Sequence, residues 1–396
     1  MSLRLLWTLN FSLVPILSQY SFFGISNYSL VVSIFLCLIS VIFYGLDLEI
    51  SSKPLALFMI ACLGTNYVYV IKNGVDFDFI ESLLPLYSFL IIIFFVKWVD
   101  PDKTFSSLSI IAILASTLVI FQFVMFEMFD VFIRTLTILP VYPEEEHFWG
   151  NFERDRFSAF FAEPEAFCTF IMPPLFFSLN NKKYHLFLLF SIAILLSKST
   201  TGLASLIIAF IFFIKGESRS FVRSLGLIIL QGLVLIYLYT FTDVFLYAKE
   251  KLFTIDLTND IRLVRGFIIL SYFDMQDWLL GTQGHTYEYI VAYVKEPWVK
   301  LHLNYNTKHL LDYVTSATGV FVRYGIVTGC LFWLMVIRLF KSSQERLPLQ
   351  LCIILIIFLF TRTFIWNGAF IYYFVIISIL NGSKSEDSPS FNTLRN

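Results

Sequence analysis

Apolar runs of roughly 17 to 24 residues, separated by short polar loops, follow one another along most of this chain, each close to the roughly 20 residues a helix needs to cross about 30 Å of hydrocarbon. Such repetition leaves little choice of fold. The expectation is an all-α protein, a polytopic transmembrane helical bundle of about 12 spans with a large, partly helical outer loop. Composition agrees, with 58% of the 396 residues hydrophobic, 18% aromatic and only 14% charged, against about 25% charged in a soluble domain. Forty-six Phe and twenty Tyr are more than one soluble core could bury.

The spans are placed near 4–22, 28–46, 54–72, 79–97, 106–129, 164–179, 184–198, 200–214, 222–240, 317–339, 348–363 and 366–381. Arg4 precedes a long apolar stretch without a small-residue cleavage site, so a retained first span is expected rather than a removed signal peptide. Lys and Arg in short loops mark the cytoplasmic side. Lys53, Lys97, Lys103, Lys182, Lys183, Lys215, Arg219, Arg223, Arg338, Lys341 and Arg346 fall on one side of the count with both termini. Residues 1–396 then form a single transmembrane domain in which two long loops, 130–163 and 241–316, face outward, and 382–396 make a short disordered cytoplasmic tail.

A net charge of -1 with no basic run gives nothing to recruit nucleic acid. The cysteines (Cys37, Cys62, Cys168, Cys330, Cys352) lie inside apolar runs without CxxC spacing and read as small buried hydrophobes. No phosphate-binding loop of the G-x-x-x-x-G-K-[ST] kind is present, nor an H-E-x-x-H pair. No metal and no cofactor are therefore expected, and any transfer reaction must use a donor that is already activated.

Polar groups against hydrocarbon are expensive, so chemistry is sought where they gather. The first outer loop ends in Arg154, Arg156 and Glu163, with Pro164 placed for the first turn of a helix. In the larger loop, Arg262 and Arg265 stand three apart and share a helix face, with Leu263, Phe267 and Leu270 available to rest on a membrane surface. That helix either lays its arginines on lipid phosphates or clamps the diphosphate of a polyprenyl-linked substrate, for which guanidinium supplies bidentate donors. Arg323, Arg362 and Lys198 add cations on the same outward side; each arginine either meets substrate, pairs with a carboxylate such as Glu81 or snorkels to the interface. Trp149, Trp278 and Trp298 either stack on sugar rings or belong to an interfacial aromatic belt.

Four stretches together resemble the polytopic O-antigen polymerases (Wzy type), of the O-antigen polymerase and ligase group. These are Arg156 to Pro164, Leu196 to Gly202 with Thr where Arg is often found, Arg262 to Gly284, and Thr315 to Gly325. The resemblance implies a metal-independent membrane glycosyltransferase of the bacterial inner membrane. It would polymerise undecaprenyl-diphosphate-linked repeat units at the periplasmic face and release the lipid diphosphate. Its partners would be those lipid-linked glycans, membrane lipid and, as an optional protein partner, a chain-length regulator, with no nucleic acid. Arg262, Arg265, Arg156 and Glu163 are the catalytic candidates, Glu163 to deprotonate the acceptor hydroxyl and Asp312 in reserve. Arg323, Arg154, Lys198, Ser316, Asp312 and Arg362 are candidates for binding substrate. Thr315-Ser316 stands where the ligases usually carry His-Asn, and His285, His302 and His309 fall outside that register, which favours polymerase over ligase. A lipid-linked glycan flippase or transporter is the rival of a different class.

Overall fold

The computed structural model describes residues 2–22, 26–45, 53–73, 84–133, 135–140, 156–217, 262–283, 286–296, 314–362 and 368–382. Among the described residues the fold is all-helical apart from one two-residue antiparallel pair, β1 (Ser21–Phe22) with β2 (Ser26–Asn27). The fourteen helices are α1 (Leu3–Leu17), α2 (Tyr28–Tyr44), α3 (Lys53–Asn73), α4 (Leu84–Trp98), α5 (Pro101–Phe129), α6 (Pro164–Asn180), α7 (Tyr184–Leu196), α8 (Thr200–Glu217), α9 (Arg262–Ser271), α10 (Met275–Leu280), α11 (Thr286–Tyr293), α12 (Ser316–Ser342), α13 (Arg346–Thr361) and α14 (Gly368–Gly382). Eleven of the apolar runs coincide with helices. The run at 222–240 lies outside the described residues. Among the described residues two helices, α5 and α12, are long and apolar enough to cross a membrane.

The first run is shorter than its hydropathy suggests. Pro15 takes an N–H out of the last turn, and Gln19 Nε2 donates to the Pro15 carbonyl at 2.6 Å. The helix therefore stops at Leu17.

The chain forms two compact units, one of Met1–Phe11, Ser33–Pro101 and Leu257–Asn396, the other of Ser12–Val32 and Asp102–Asp256. In the first unit Trp7 stacks on Phe94 at 5.6 Å and meets Phe95 edge-on at 5.2 Å, while Phe11 packs against Phe95 at 5.0 Å and Tyr372 at 5.7 Å. Two polar bridges lock α1 to α2: Trp7 Nε1 donates to Ser40 Oγ at 2.9 Å, and Asn10 Nδ2 to Ser33 Oγ at 3.0 Å. Such bonds are the usual way for apolar helices to fix their pairing where water is scarce.

The expected tenth span is not one straight helix. Gly325 inside α12 has φ 77° and ψ -180°, a backbone region open only to glycine, and breaks the helix there. Trp333 Nε1 donates to the Ala317 carbonyl at 3.3 Å, although in a straight helix those residues would stand about 24 Å apart. Gly329 and Phe321 tell the same story, since a Cβ on Gly329 would lie 2.7 Å from the Phe321 Cγ. The arms Ser316–Tyr324 and Ile326–Ser342 thus fold back into a V with its tip at Gly325. The longer arm alone measures roughly 25 Å at 1.5 Å per residue, so the residue count of α12 overstates its reach.

The expected large loop supplies α9 to α11, which build a core of their own. Ile269, Leu270, Phe273, Ile290, Val294, Val314 and Val322 are buried together, with Trp278, Tyr272 and Tyr289 against them. Phe273 meets Trp278 edge-on at 5.9 Å and Tyr289 at 5.1 Å. Trp278 is therefore a packing residue of this small core; Trp149 and Trp298 lie outside the described residues. Asp274 caps α10 through a reciprocal box with Asp277. The Tyr272 hydroxyl donates to Glu296 Oε1 at 2.9 Å, and that bond to a carboxylate holds the phenol above its ordinary pKa.

In the second unit Phe105 stacks on Phe177 at 4.3 Å, joining α5 to α6, and α7 and α8 pack on α6. Cys62, Cys168 and Cys352 are buried as expected, whereas Cys330 is exposed on the outer side of its helix; all five are free thiols.

Candidate functional site

The four sequence stretches meet in pairs, one pair within each unit. In the second unit the first stretch runs from Arg156 to the start of α6 and is pinned along its length. The Ala159 N–H donates to Gln122 Oε1 at 3.0 Å, and the Ala162 N–H to Gln19 Oε1 at 2.7 Å. The Tyr20 hydroxyl donates to the Phe160 carbonyl at 2.8 Å. Buried Phe157 and Phe161 fill in beneath these bonds. Arg156 is half-buried, Glu163 is exposed at the N-cap of α6 with no side-chain cap bond, and Pro164 occupies the first turn as expected.

The second stretch is the tight turn between α7 and α8, where Lys198 adopts φ 55°. It abuts the first stretch. Thr201 Oγ1 donates to Glu165 Oε1 at 3.1 Å, and Cys168 Sγ lies 3.3 Å from Ser197 Oγ. A Cβ on Gly202 would sit 3.0 Å from Cys168 Cβ and closer still to its sulfur. Gly202→Ala is accordingly expected to destabilise the protein by about 1–3 kcal/mol through overpacking. Adding Cys168→Ala should restore most of the thermal midpoint, and equal midpoints for the single and double variants would refute this close contact. Glu165 is the carboxylate that sequence reasoning passed over. Its spacing from Cys168, one helical turn, was the available signal.

In the first unit the third and fourth stretches interlock. The break in α12 frees the carbonyls of Val322 and Arg323, which the N–H groups of Thr282 and Gln283 meet at 2.8 and 2.9 Å. The fit needs two glycines. A Cβ on Gly281, at φ 70°, would lie 2.6 Å from the Gly325 nitrogen, and a Cβ on Gly325 would lie 2.9 Å from the Trp278 carbonyl oxygen. Higher on the short arm, Gly266 of α9 faces Thr318, whose Cβ would be 2.5 Å from a Cβ placed there.

That close seat turns one side of α9 inward. Arg265 is only 4% exposed and Leu270 is buried, while Val264, Phe267 and Ser271 are exposed and the Leu263 side chain lies outside the described residues. Leu270 belongs to the loop core and does not rest on a membrane surface; Phe267 keeps the exposure expected of it. Arg323, two residues before the tip of the V, is 7% exposed. Arg362 is half-buried after α13, and its carbonyl accepts from the N–H of buried Ser316 at 3.0 Å. The short arm Ser316–Tyr324, about 13 Å long, therefore has Arg265 and Arg362 beside its start and Arg323 near its end.

Arg262 opens α9, but its side chain, like Arg154, Asp312, Glu81, His285, His302 and His309, lies outside the described residues. Arg265 and Arg323 are both buried in the first unit, each permanently charged and weakly hydrated, and the Arg323 guanidinium lies over the Tyr324 ring at 5.5 Å. No protein-family model matches this sequence, and comparison with curated proteins finds no match to it.

Proposed function

We propose that this protein polymerises undecaprenyl-diphosphate-linked oligosaccharide repeat units into O-antigen polysaccharide at the periplasmic face of a bacterial inner membrane. The observation that carries the reading is the burial of Arg265 and Arg323 around one short helical arm, with Arg362 at its start. Buried cations next to apolar helices need a multiply charged anion or a protein counter-charge. The diphosphate of a polyprenyl carrier is such an anion and brings its own hydrocarbon chain into the bilayer. In this reading about twelve spans cross the membrane, both termini are cytoplasmic, and the loops 130–163 and 241–316 face the periplasm.

The reaction joins an acceptor hydroxyl, on the non-reducing sugar of a new repeat unit, to the anomeric carbon of the growing chain. The bond from that carbon to the diphosphate oxygen breaks, and the lipid diphosphate leaves with its electron pair. Arg262 and Arg265, seconded by Arg323, stabilise charge on the leaving diphosphate. Glu163, exposed at the start of α6, is the candidate to take the proton of the acceptor hydroxyl, and Arg156 and Lys198 are cations of the same unit.

The V in α12 favours one competing reading. Discontinuous helices carrying buried charge are a feature of secondary transporters, so a flippase for the same lipid-linked glycan shares this observation. Cells lacking the gene decide between them, with surface polysaccharide resolved by length on a gel. The polymerase reading expects loss of long chains with a single capped repeat left. Complementation by Arg262→Ala or Glu163→Ala, at matched membrane expression, should leave that single repeat unextended. Persistence of long chains in the null strain refutes polymerisation, and loss of every capped species points to ligase or flippase.

A further inference from the structure

Gln283, at the tip of the V, lies in the third sequence stretch but is not among the candidate site residues read from the sequence. Three observations single it out. It is 8% exposed and adopts φ 52°, a left-handed conformation uncommon outside glycine and asparagine. Its Nε2 donates to the Leu280 carbonyl, which fixes the amide so that Oε1 is the acceptor. That Oε1 is buried and has no hydrogen-bond partner among the described residues, a costly condition in a protein interior.

The turn holding it is over-determined. Gly281 presses on the backbone of Arg323 and Gly325, and the Gln283 N–H donates to the Arg323 carbonyl at 2.9 Å. Gln283 and Arg323 are thus fastened backbone to backbone, one carrying an acceptor and the other a permanent cation. Strain and an unmet acceptor held in place by surrounding structure are typical of binding positions.

We infer that Gln283 binds the sugar next to the diphosphate of the lipid-linked donor, its Oε1 accepting a hydroxyl or amide N–H of that sugar. The inference rests on the polymerase reading, since it takes Arg323 to meet the diphosphate. A hydroxyl donor on the first sugar lies a few bonds from the diphosphate oxygens, which matches two side chains borne by neighbouring backbones. A site built to bond such a group also rejects lipid diphosphate once the sugar has gone, favouring release of the product.

The test uses the purified full-length protein in nanodiscs and two probes: undecaprenyl diphosphate alone, and the lipid-linked repeat unit extracted from cells lacking this gene. Wild type is expected to bind the sugar-bearing lipid roughly tenfold more tightly than the bare diphosphate. Gln283→Leu should bind the bare diphosphate as wild type does and lose that preference. Gln283→Asn, which tolerates positive φ but draws the amide back by one carbon, should do the same with an unchanged unfolding midpoint, and decides the matter if the leucine variant fails to fold. Retention of the tenfold preference in Gln283→Asn overturns the inference, as does a wild type that binds both probes equally; in either case the diphosphate site stands. A wild type that binds neither probe removes the polymerase reading and this inference together.

Discussion

Gly325→Ala is expected to be among the most damaging single substitutions in the protein, with a cost of about 3 kcal/mol or more and a collapse of folded yield. Two effects add. The backbone at φ 77° and ψ -180° lies in a region that costs a non-glycine residue about 1–3 kcal/mol. The new methyl would then lie 2.6 Å from the carbonyl carbon of Leu279, so two backbones must separate and the bonds at Thr282 and Gln283 must lengthen. Gly281→Ala, at φ 70° against the same backbone, is expected to cost a similar amount. Because both break one contact, the double variant should lose much less than the sum of the singles. Gly45 supplies the control: its φ is 74°, yet a Cβ there meets nothing within 4 Å, so Gly45→Ala should show conformational strain alone, about 1–2 kcal/mol. Thermal unfolding of the detergent-solubilised protein measures all four. If Gly325→Ala and Gly45→Ala are equally mild, the V does not depend on the interlock.

The sequence made the helices legible because hydrophobic length is a local property. Lys53 to Asn73 and Arg346 to Thr361 could be placed from their own residues, since a run of Leu, Ile and Phe between basic loops needs no partner to be recognised. The V was not legible. Gly325 sits in Arg323-Tyr324-Gly325-Ile326-Val327, where one glycine inside an apolar run is ordinary, and its φ is set by Trp278 and Leu279, more than forty residues earlier in the chain. The candidate site was half legible for the same reason. Arg265 and Arg323 could be chosen because charge in apolar surroundings stands out. Their burial could not be foreseen, because the hydrophobic pattern of α9 would serve a membrane surface as well as the face of another helix. Gly266 decided between these by letting α9 close on Thr318. Gln283 gave no signal of its own, as an amide in a turn is common at the surface, and Glu165 gave only its one-turn spacing from Cys168.

Arg265→Leu separates a functional arginine from a structural one, because the two roles move stability in opposite directions. A buried guanidinium held for a substrate diphosphate costs the unliganded protein desolvation, so an apolar replacement of similar size should leave the thermal midpoint unchanged or raise it. A guanidinium held only to satisfy a buried protein carboxylate would, on removal, leave that charge uncompensated and cost about 3–5 kcal/mol. The expected result is a fall of roughly hundredfold or more in polymer formed from lipid-linked repeat units, and the thermal midpoint then tells whether the guanidinium also balances a protein carboxylate. Arg265→Lys sharpens the outcome. Lysine keeps the charge but not the planar fork, so bidentate contact with phosphate oxygens is lost while the Coulombic attraction remains. Activity should therefore recover only in part, by about tenfold over the leucine variant. Arg323→Leu should behave as Arg265→Leu does if both meet one diphosphate, and the double variant should then be little worse than either single. Full polymer length from Arg265→Leu would remove the arginine from the site; a destabilised Arg265→Leu rescued by removal of a nearby carboxylate would make it a structural ion pair.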